Sequence, residues 1–223
     1  MIKLVVIDFD DTLSLTEKAY FKVENHIAEK IESPPMTREA HQKNWGMPLK
    51  KAIVERIPGI DADTFMEIHS QVLPGFFERN EVDTISEKNI KTLKKLKEDG
   101  KYLVILTSRT FNEVKHLLNK NHHLNKYIEK IYHMDNMDFH KPDPRAFNQP
   151  LKDFLVTPEE TVYIGDSLGD GISAKGAGIH FIALLESGLR TKKDFDSVSV
   201  DFFAKKFPDI IDYIYIQPTP TFF

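Results

Sequence analysis

The 223-residue sequence contains no cysteine, which excludes disulfide scaffolds, cysteine-ligated zinc, iron–sulfur centres and thiol nucleophiles. It also lacks an excess of basic charge. Thirty Lys and Arg stand against 34 Asp and Glu, a formal net charge of −4, so no global field draws the chain to a polyphosphate backbone. A small anionic substrate needs only one local positive site and is not excluded. No window approaches the ~20 apolar residues of a membrane-spanning helix. The stretch after Met1 runs straight into a strand-like segment ending at Asp8, without the charged region and apolar core of a signal peptide. No internal repeat or low-complexity tract is present. With 41% apolar and 29% charged residues, wholesale disorder is excluded too. The expectation is a cytoplasmic protein that binds neither nucleic acid nor membrane, as a monomer or homodimer.

Apolar runs of strand length recur at wide intervals: 4–7, 102–106, 128–132, 162–164 and 181–185. The strongest are continuously apolar instead of alternating, as parallel strands covered on both faces require. Helix-period segments lie between them. In 86–98, Ile90, Leu93 and Leu96 share one side, four lysines lie outside, and Asp99-Gly100 ends the helix. Strand and helix in alternation predict an α/β fold, a doubly wound Rossmann-like parallel sheet. Residues 15–84 break the alternation. They hold helical stretches at 16–32, 37–45, 48–57 and 62–79, separated by Pro34-Pro35, Pro48 and Pro58-Gly59. One crossover helix needs far fewer residues, so an inserted all-helical domain is expected at 15–84, with the core formed by 1–14 and 85–216. Residues 217–223 read as a loose tail, and 190–216 receive no assignment.

Four segments carry candidate chemistry. After the first strand, Asp8-Phe9-Asp10-Asp11-Thr12 places Asp8 and Asp10 on one face at the carboxyl end, where open α/β sheets bind ligands. Two carboxylates 4 Å apart repel by about 4 kcal/mol at an effective dielectric of 20, so a proton, a cation or a lysine must offset them. An acidic turn is the competing reading. After the second strand, Thr107-Ser108 offers hydroxyls and backbone N–H groups able to cradle phosphate oxygens, or simply caps the next helix. Lys141 precedes Pro142, which restricts its backbone and holds the ammonium in place. Gly165-Asp166-x-x-x-Asp170 follows the fourth strand, with Gly165 allowing close approach. Asp8, Asp10, Asp166 and Asp170 against Lys141 leave a deficit that a hard cation with oxygen ligands reduces, and Mg²⁺ is the natural choice.

Asp8-x-Asp10-x-Thr12, Thr107, Lys141-Pro142 and Gly165-Asp166-x-x-x-Asp170 together resemble the four motifs of the haloacid dehalogenase superfamily, over residues 3 to about 188. The helical insert resembles the cap domain of its phosphoglycolate phosphatase and β-phosphoglucomutase-like branch. The resemblance implies that Asp8 is a nucleophile forming an aspartyl-phosphate and Asp10 the general acid and then base, its carbonyl also reaching the metal. Thr107 and Ser108 would bind the phosphoryl oxygens with Lys141, which also neutralises Asp8. Mg²⁺ would be held by Asp8, Asp10 and Asp166, while Asp170 orients Lys141 or metal-bound water and Thr12 shapes the turn. The implied activity is hydrolysis of a small phosphorylated metabolite. A phosphomutase would keep Asp10 as well, and a non-catalytic regulatory module is the alternative from another class.

The insert's entry and exit beside the first motif suggest a cap that opens and closes on hinges near 14–16 and 80–86. Trp45, Phe65, His69, Phe76 and Phe77 read more readily as helix-packing core than as a substrate pocket. Arg38, His41, Lys43, Lys50 and Lys51 offer positive charge that would suit a second anionic group. His122 and His123 are expected to face different directions on a helix, exposed, without forming a metal site.

Overall fold

The computed structural model describes residues 1–47, 49–119 and 121–216. The proposed tail at 217–223 and the separator Pro48 lie outside them. The chain divides into two compact units, one formed by Met1–Ser14 with the chain from Ile85 onward, the other by Leu15–Thr84.

The elements run in the order β1 (Leu4–Ile7), α1 (Glu17–Lys30), α2 (Arg38–Lys43), α3 (Leu49–Arg56), α4 (Ala62–Glu78), α5 (Glu87–Glu98), β2 (Tyr102–Leu106) and α6 (Phe111–Val114). They continue with β3 (Lys130–Tyr132), α7 (Asn148–Phe154), β4 (Thr161–Gly165), α8 (Leu168–Gly176), β5 (His180–Leu184), β6 (Phe202–Ala204) and α9 (Ile210–Ile216). Short 3₁₀ turns join several of them.

In the α/β unit the six strands of the described residues form one parallel sheet in the order β3-β2-β1-β4-β5-β6. Successive residues supply opposite faces. Val5, Ile7, Ile105, Val162 and Ile164 pack with Leu93 and Leu96 of α5 and Ile210 of α9. Leu4, Val6, Val104 and Tyr163 pack on the other face with Phe147 and with Ala174 of α8. Full burial of each such side chain contributes roughly 1.5–3 kcal/mol, which explains why the strands are apolar throughout. The third strand begins at Lys130, two residues later than the apolar run suggests, because Ile128 still follows the preceding 3₁₀ turn. Residues 190–216, left unassigned above, contribute β6 and α9.

The helical unit consists of α1–α4. Thr37 caps α2 by accepting from the Ala40 N–H at 3.1 Å, and Asp61 caps α4 through the N–H groups of Asp63 and Thr64. Val23, Ile27, Ile53, Phe65, Leu73 and Phe76 form its core. Inside it lies a buried ionic network. Glu17 accepts from Arg38 and from His41 Nδ1 at 2.7 Å, while Glu24 pairs with Arg56 at 2.5 Å. His41 Nε2 lies 3.5 Å from Glu24, and Arg56 Nε donates to Asn44 at 2.7 Å.

Candidate active site

The sheet order reverses direction between β1 and β4, and the crevice outside the carboxyl ends of those two strands is where such sheets take ligands. Asp8 is the first residue after β1, and its N–H donates to the Ile164 carbonyl of β4 at 2.9 Å. Asp166 is the first residue after β4, and Thr107 the first after β2. Beyond Asp8 the chain turns sharply. Asp11 adopts the left-handed region at φ 51°, and the Phe9 carbonyl accepts from the N–H groups of Leu13 and Ser14.

Lys141 is the hub. Its ammonium donates to Asp8 Oδ1 at 2.9 Å, Asp170 Oδ1 at 2.8 Å and the Tyr163 hydroxyl at 2.8 Å. Asp170 lies in the first turn of α8, with its other oxygen accepting from the Ser167 N–H at 2.9 Å and hydroxyl at 2.6 Å. Two glycines permit this closeness. A Cβ on Gly165 would lie 2.6 Å from Asp170 Cγ, and one on Gly176 would lie 2.4 Å from Pro144, in the segment that carries Lys141.

Burial pushes the Asp8 carboxyl up to about 7, with the Asp170 and Asp10 charges adding to the rise and Lys141 opposing it. Asp166 is raised well above the ordinary carboxylate range by burial and by the charges of Asp170, Asp8 and Asp11. Asp170 goes the other way. Burial opposes its ionisation, yet the Lys141 charge and the hydrogen bonds from Lys141 and Ser167 hold it below the usual value. Burial disfavours the Lys141 ammonium, but Asp170 and Asp8 outweigh it and raise the group.

Asp8, Asp166 and Asp170 can each offer a carboxylate oxygen within 4.8 Å of the others. The three differ in what else they hold. Both oxygens of Asp170 already accept protein donors, whereas none of the described residues donates a hydrogen bond to the Asp166 carboxylate. An all-oxygen donor set with one unclaimed buried carboxylate suits a hard cation such as Mg²⁺.

The Asp10 carboxylate is not part of this cluster. It faces Arg109, whose Nη2 lies 2.6 Å from Oδ1 and whose Nε lies 2.9 Å from Oδ2, a bidentate pair. Thr107 Oγ1 accepts from the Arg109 N–H at 3.2 Å, and Thr107, Ser108, His140 and Lys141 line a shallow pocket. Ser108 is exposed. Thr12 is fully buried in the turn and its hydroxyl takes no hydrogen bond among the described residues, so it packs there.

Sequence reasoning missed Arg109, Tyr163 and Ser167. Tyr163 reads as one more apolar strand residue, and only its position one strand-end before Gly165-Asp166 hints at more. Ser167 opens a capping box with Asp170, a signal that Ser-x-x-Asp carries in the sequence.

The remaining expectations fare variously. Phe65, His69 and Phe76 are buried in the helical core. Arg38 and His41 are engaged by Glu17, and Lys50 pairs with Asp63, so these three do not stand as open anion contacts, whereas Lys43 and Lys51 are exposed. His122 and His123 do not diverge. Their rings stack at 4.5 Å because His122 has the extended backbone of an N-cap, φ −68° and ψ 131°, not that of a helix interior.

Comparison with known proteins places these features in a family. The haloacid dehalogenase-like hydrolase family matches residues 5–184. The phosphorylated carbohydrates phosphatase of Thermotoga maritima is 26% identical over 208 residues, covering 82% of this chain and 90% of that protein. Phosphoglycolate phosphatase 1 of Pseudomonas aeruginosa is 34% identical over 95 residues, which span 43% of this chain and only 35% of that protein's length. A crystal structure described as a predicted phosphoglycolate phosphatase from Haemophilus somnus shares the fold at a TM-score of 0.79, with 19% identity, 95% of this chain and 97% of that one.

Proposed function

Because the chain belongs to the haloacid dehalogenase-like hydrolase family, we propose that it is a Mg²⁺-dependent phosphatase acting on a small phosphorylated metabolite through an aspartyl-phosphate on Asp8. The observation that carries this reading is the Lys141 ammonium held between Asp8 and Asp170, beside the unclaimed carboxylate of Asp166.

In this reading an Asp8 oxygen attacks phosphorus, the bond from phosphorus to the ester oxygen breaks, and the leaving alkoxide takes a proton from Asp10. Asp10 then removes a proton from water, whose oxygen attacks the acyl-phosphate, releasing inorganic phosphate and restoring Asp8. Arg109 donates to both Asp10 oxygens, so one of them must turn from the guanidinium and take up a proton from water before it can pass one to the leaving oxygen. The Thr107 hydroxyl and Ser108 N–H bind phosphoryl oxygens, and Lys141 offsets the charge gathered between them and Asp8. Asp8, Asp166 and the Asp10 carbonyl would hold Mg²⁺, which when bound supplies charge neutralisation for the phosphoryl oxygens. Phosphoryl transfer asks a protein mainly for positioning and charge stabilisation, and this set offers both. The relatives named as phosphatases of phosphoglycolate and phosphorylated carbohydrates support hydrolysis of a small phosphate monoester. The insertion of Leu15–Thr84 between the first and second motifs supports assigning that unit as a cap.

The test is hydrolysis of p-nitrophenyl phosphate with Mg²⁺, with and without EDTA, by wild type and Asp8→Asn. Wild type releases inorganic phosphate only with the cation, and the variant releases none. Equal rates in the two proteins contradict the proposal.

A further inference from the structure

We propose that Tyr163 is a positioning residue for Lys141, its hydroxyl completing the ammonium's hydrogen-bond set and so fixing the positive charge that faces Asp8. Only the kinetic consequence of this inference rests on the phosphatase reading above.

An ammonium has three protons to donate and accepts nothing. Around Lys141 there are three acceptors: Asp8 Oδ1 at 2.9 Å, Asp170 Oδ1 at 2.8 Å and the Tyr163 oxygen at 2.8 Å. The Tyr163 hydroxyl, having one proton of its own, accepts from Lys141 and donates to Asp170 Oδ1 at 2.9 Å. Nζ, Oδ1 and the hydroxyl thus form a triangle with nearly equal sides. Its corners are anchored independently. Asp170 is tied through its second oxygen to Ser167, and the Tyr163 ring is fully buried, edge-on to Phe147 at 5.0 Å between ring centres and 6.3 Å from Phe181. Lys141 brings a long flexible side chain whose order depends on its partners. Removing one acceptor at a lysine side chain only 10% exposed leaves a proton without a protein acceptor, and the ammonium shifts to recover one. A phenylalanine at 163 fills the same strand position and packs against the same rings, so packing alone gives no reason for the hydroxyl.

The experiment uses protein labelled with ¹⁵N-lysine, with the Lys141 ammonium signal assigned by its loss in Lys141→Gln. In wild type the ammonium protons exchange slowly and show a nuclear Overhauser contact to the Tyr163 ring. In Tyr163→Phe their exchange accelerates at least about tenfold. There kcat for p-nitrophenyl phosphate falls by about tenfold, while KM stays within about twofold and the thermal midpoint moves little. Unchanged ammonium exchange in the variant overturns the proposal, whatever happens to kcat, because Tyr163 would then act otherwise. Should Tyr163→Phe not fold, the wild-type contact decides, and its absence overturns the proposal as well. If Asp8→Asn proves as active as wild type, the phosphatase reading falls, and the exchange measurement still decides the role of Tyr163.

Discussion

In the helical unit, Glu17 and Glu24 are buried against Arg38, Arg56 and His41, so two carboxylates meet two guanidinium groups and an imidazole. In the α/β unit, Asp8, Asp166 and Asp170 are buried against Lys141, three carboxylates against one ammonium. In the first set each acid has a cationic partner fixed on a neighbouring helix. The second leaves two negative charges that a proton or a cation must offset; burial raises Asp8 and Asp166, and the neighbouring carboxylates add to the rise. The contrast separates an ionic network that holds helices together from one arranged to take up something from outside.

The strongest way to sharpen it is Asp8→Asn. Removing the nucleophile is expected to lower phosphate release by more than about 10³-fold without loss of thermal stability, since the change relieves a charge surplus. Arg56→Ala attacks the other network. It leaves Glu24 buried without its guanidinium and is expected to cost about 3–5 kcal/mol, measured by denaturant unfolding. The corresponding loss is much smaller if the helical network is as dispensable as a surface pair.

Cation and pH effects come next. With EDTA present, Asp8 keeps its proton in the folded state up to about pH 7, whereas in the unfolded chain it loses it near 3.8. The folded state therefore binds more protons across that window, and stability falls as pH rises from about 4 to 7 and levels off above it. Asp170, held below its usual value, has its loss at more acid pH and does not oppose this trend. Mg²⁺ competes with those protons, so it raises the melting temperature more at pH 8 than at pH 5; at one hundred times its Kd the cation stabilises the fold by about 2.7 kcal/mol. A pH-independent response contradicts the charge-deficit account. Gly165→Ala is a subtler break. Its methyl would press on Asp170 from 2.6 Å, costing about 1–3 kcal/mol and loosening Lys141, read as a drop in both melting temperature and kcat. Lys50→Met, at a solvent-exposed pair with Asp63, is expected to change neither measurably.

How far the sequence alone reaches follows the same physics. The strands of the sheet centre are legible because burial on both faces demands unbroken apolar runs, as in Leu4–Ile7 and Tyr102–Leu106. Three-residue β6, flanked by Asp201 and Lys205, is too short to give any period. The carboxylates and Lys141 stand out because charged residues at strand ends conflict with ordinary packing. Tyr163 does not stand out, because a tyrosine in an apolar strand serves packing equally well, and its polar end acquires meaning only when Lys141, 22 residues earlier, arrives beside it. Arg109 is similar. Next to Thr107-Ser108 it looks like part of a helix cap, and its pairing with Asp10 depends on β1 and β2 being neighbours. In the helical unit the cationic side chains are visible but their partners are not, since Glu17 and Glu24 read as ordinary polar positions of an amphipathic helix until burial claims them.

Covalent capture gives the most direct test. Wild type is incubated with Mg²⁺ and acetyl phosphate, quenched in acid, digested and sequenced by mass spectrometry. The account predicts a hydroxylamine-sensitive phosphoryl group on the peptide containing Asp8, absent in Asp8→Asn and absent when EDTA replaces Mg²⁺. Turnover of acetyl phosphate that persists undiminished in Asp8→Asn, or a phosphoryl group on any other residue, contradicts it.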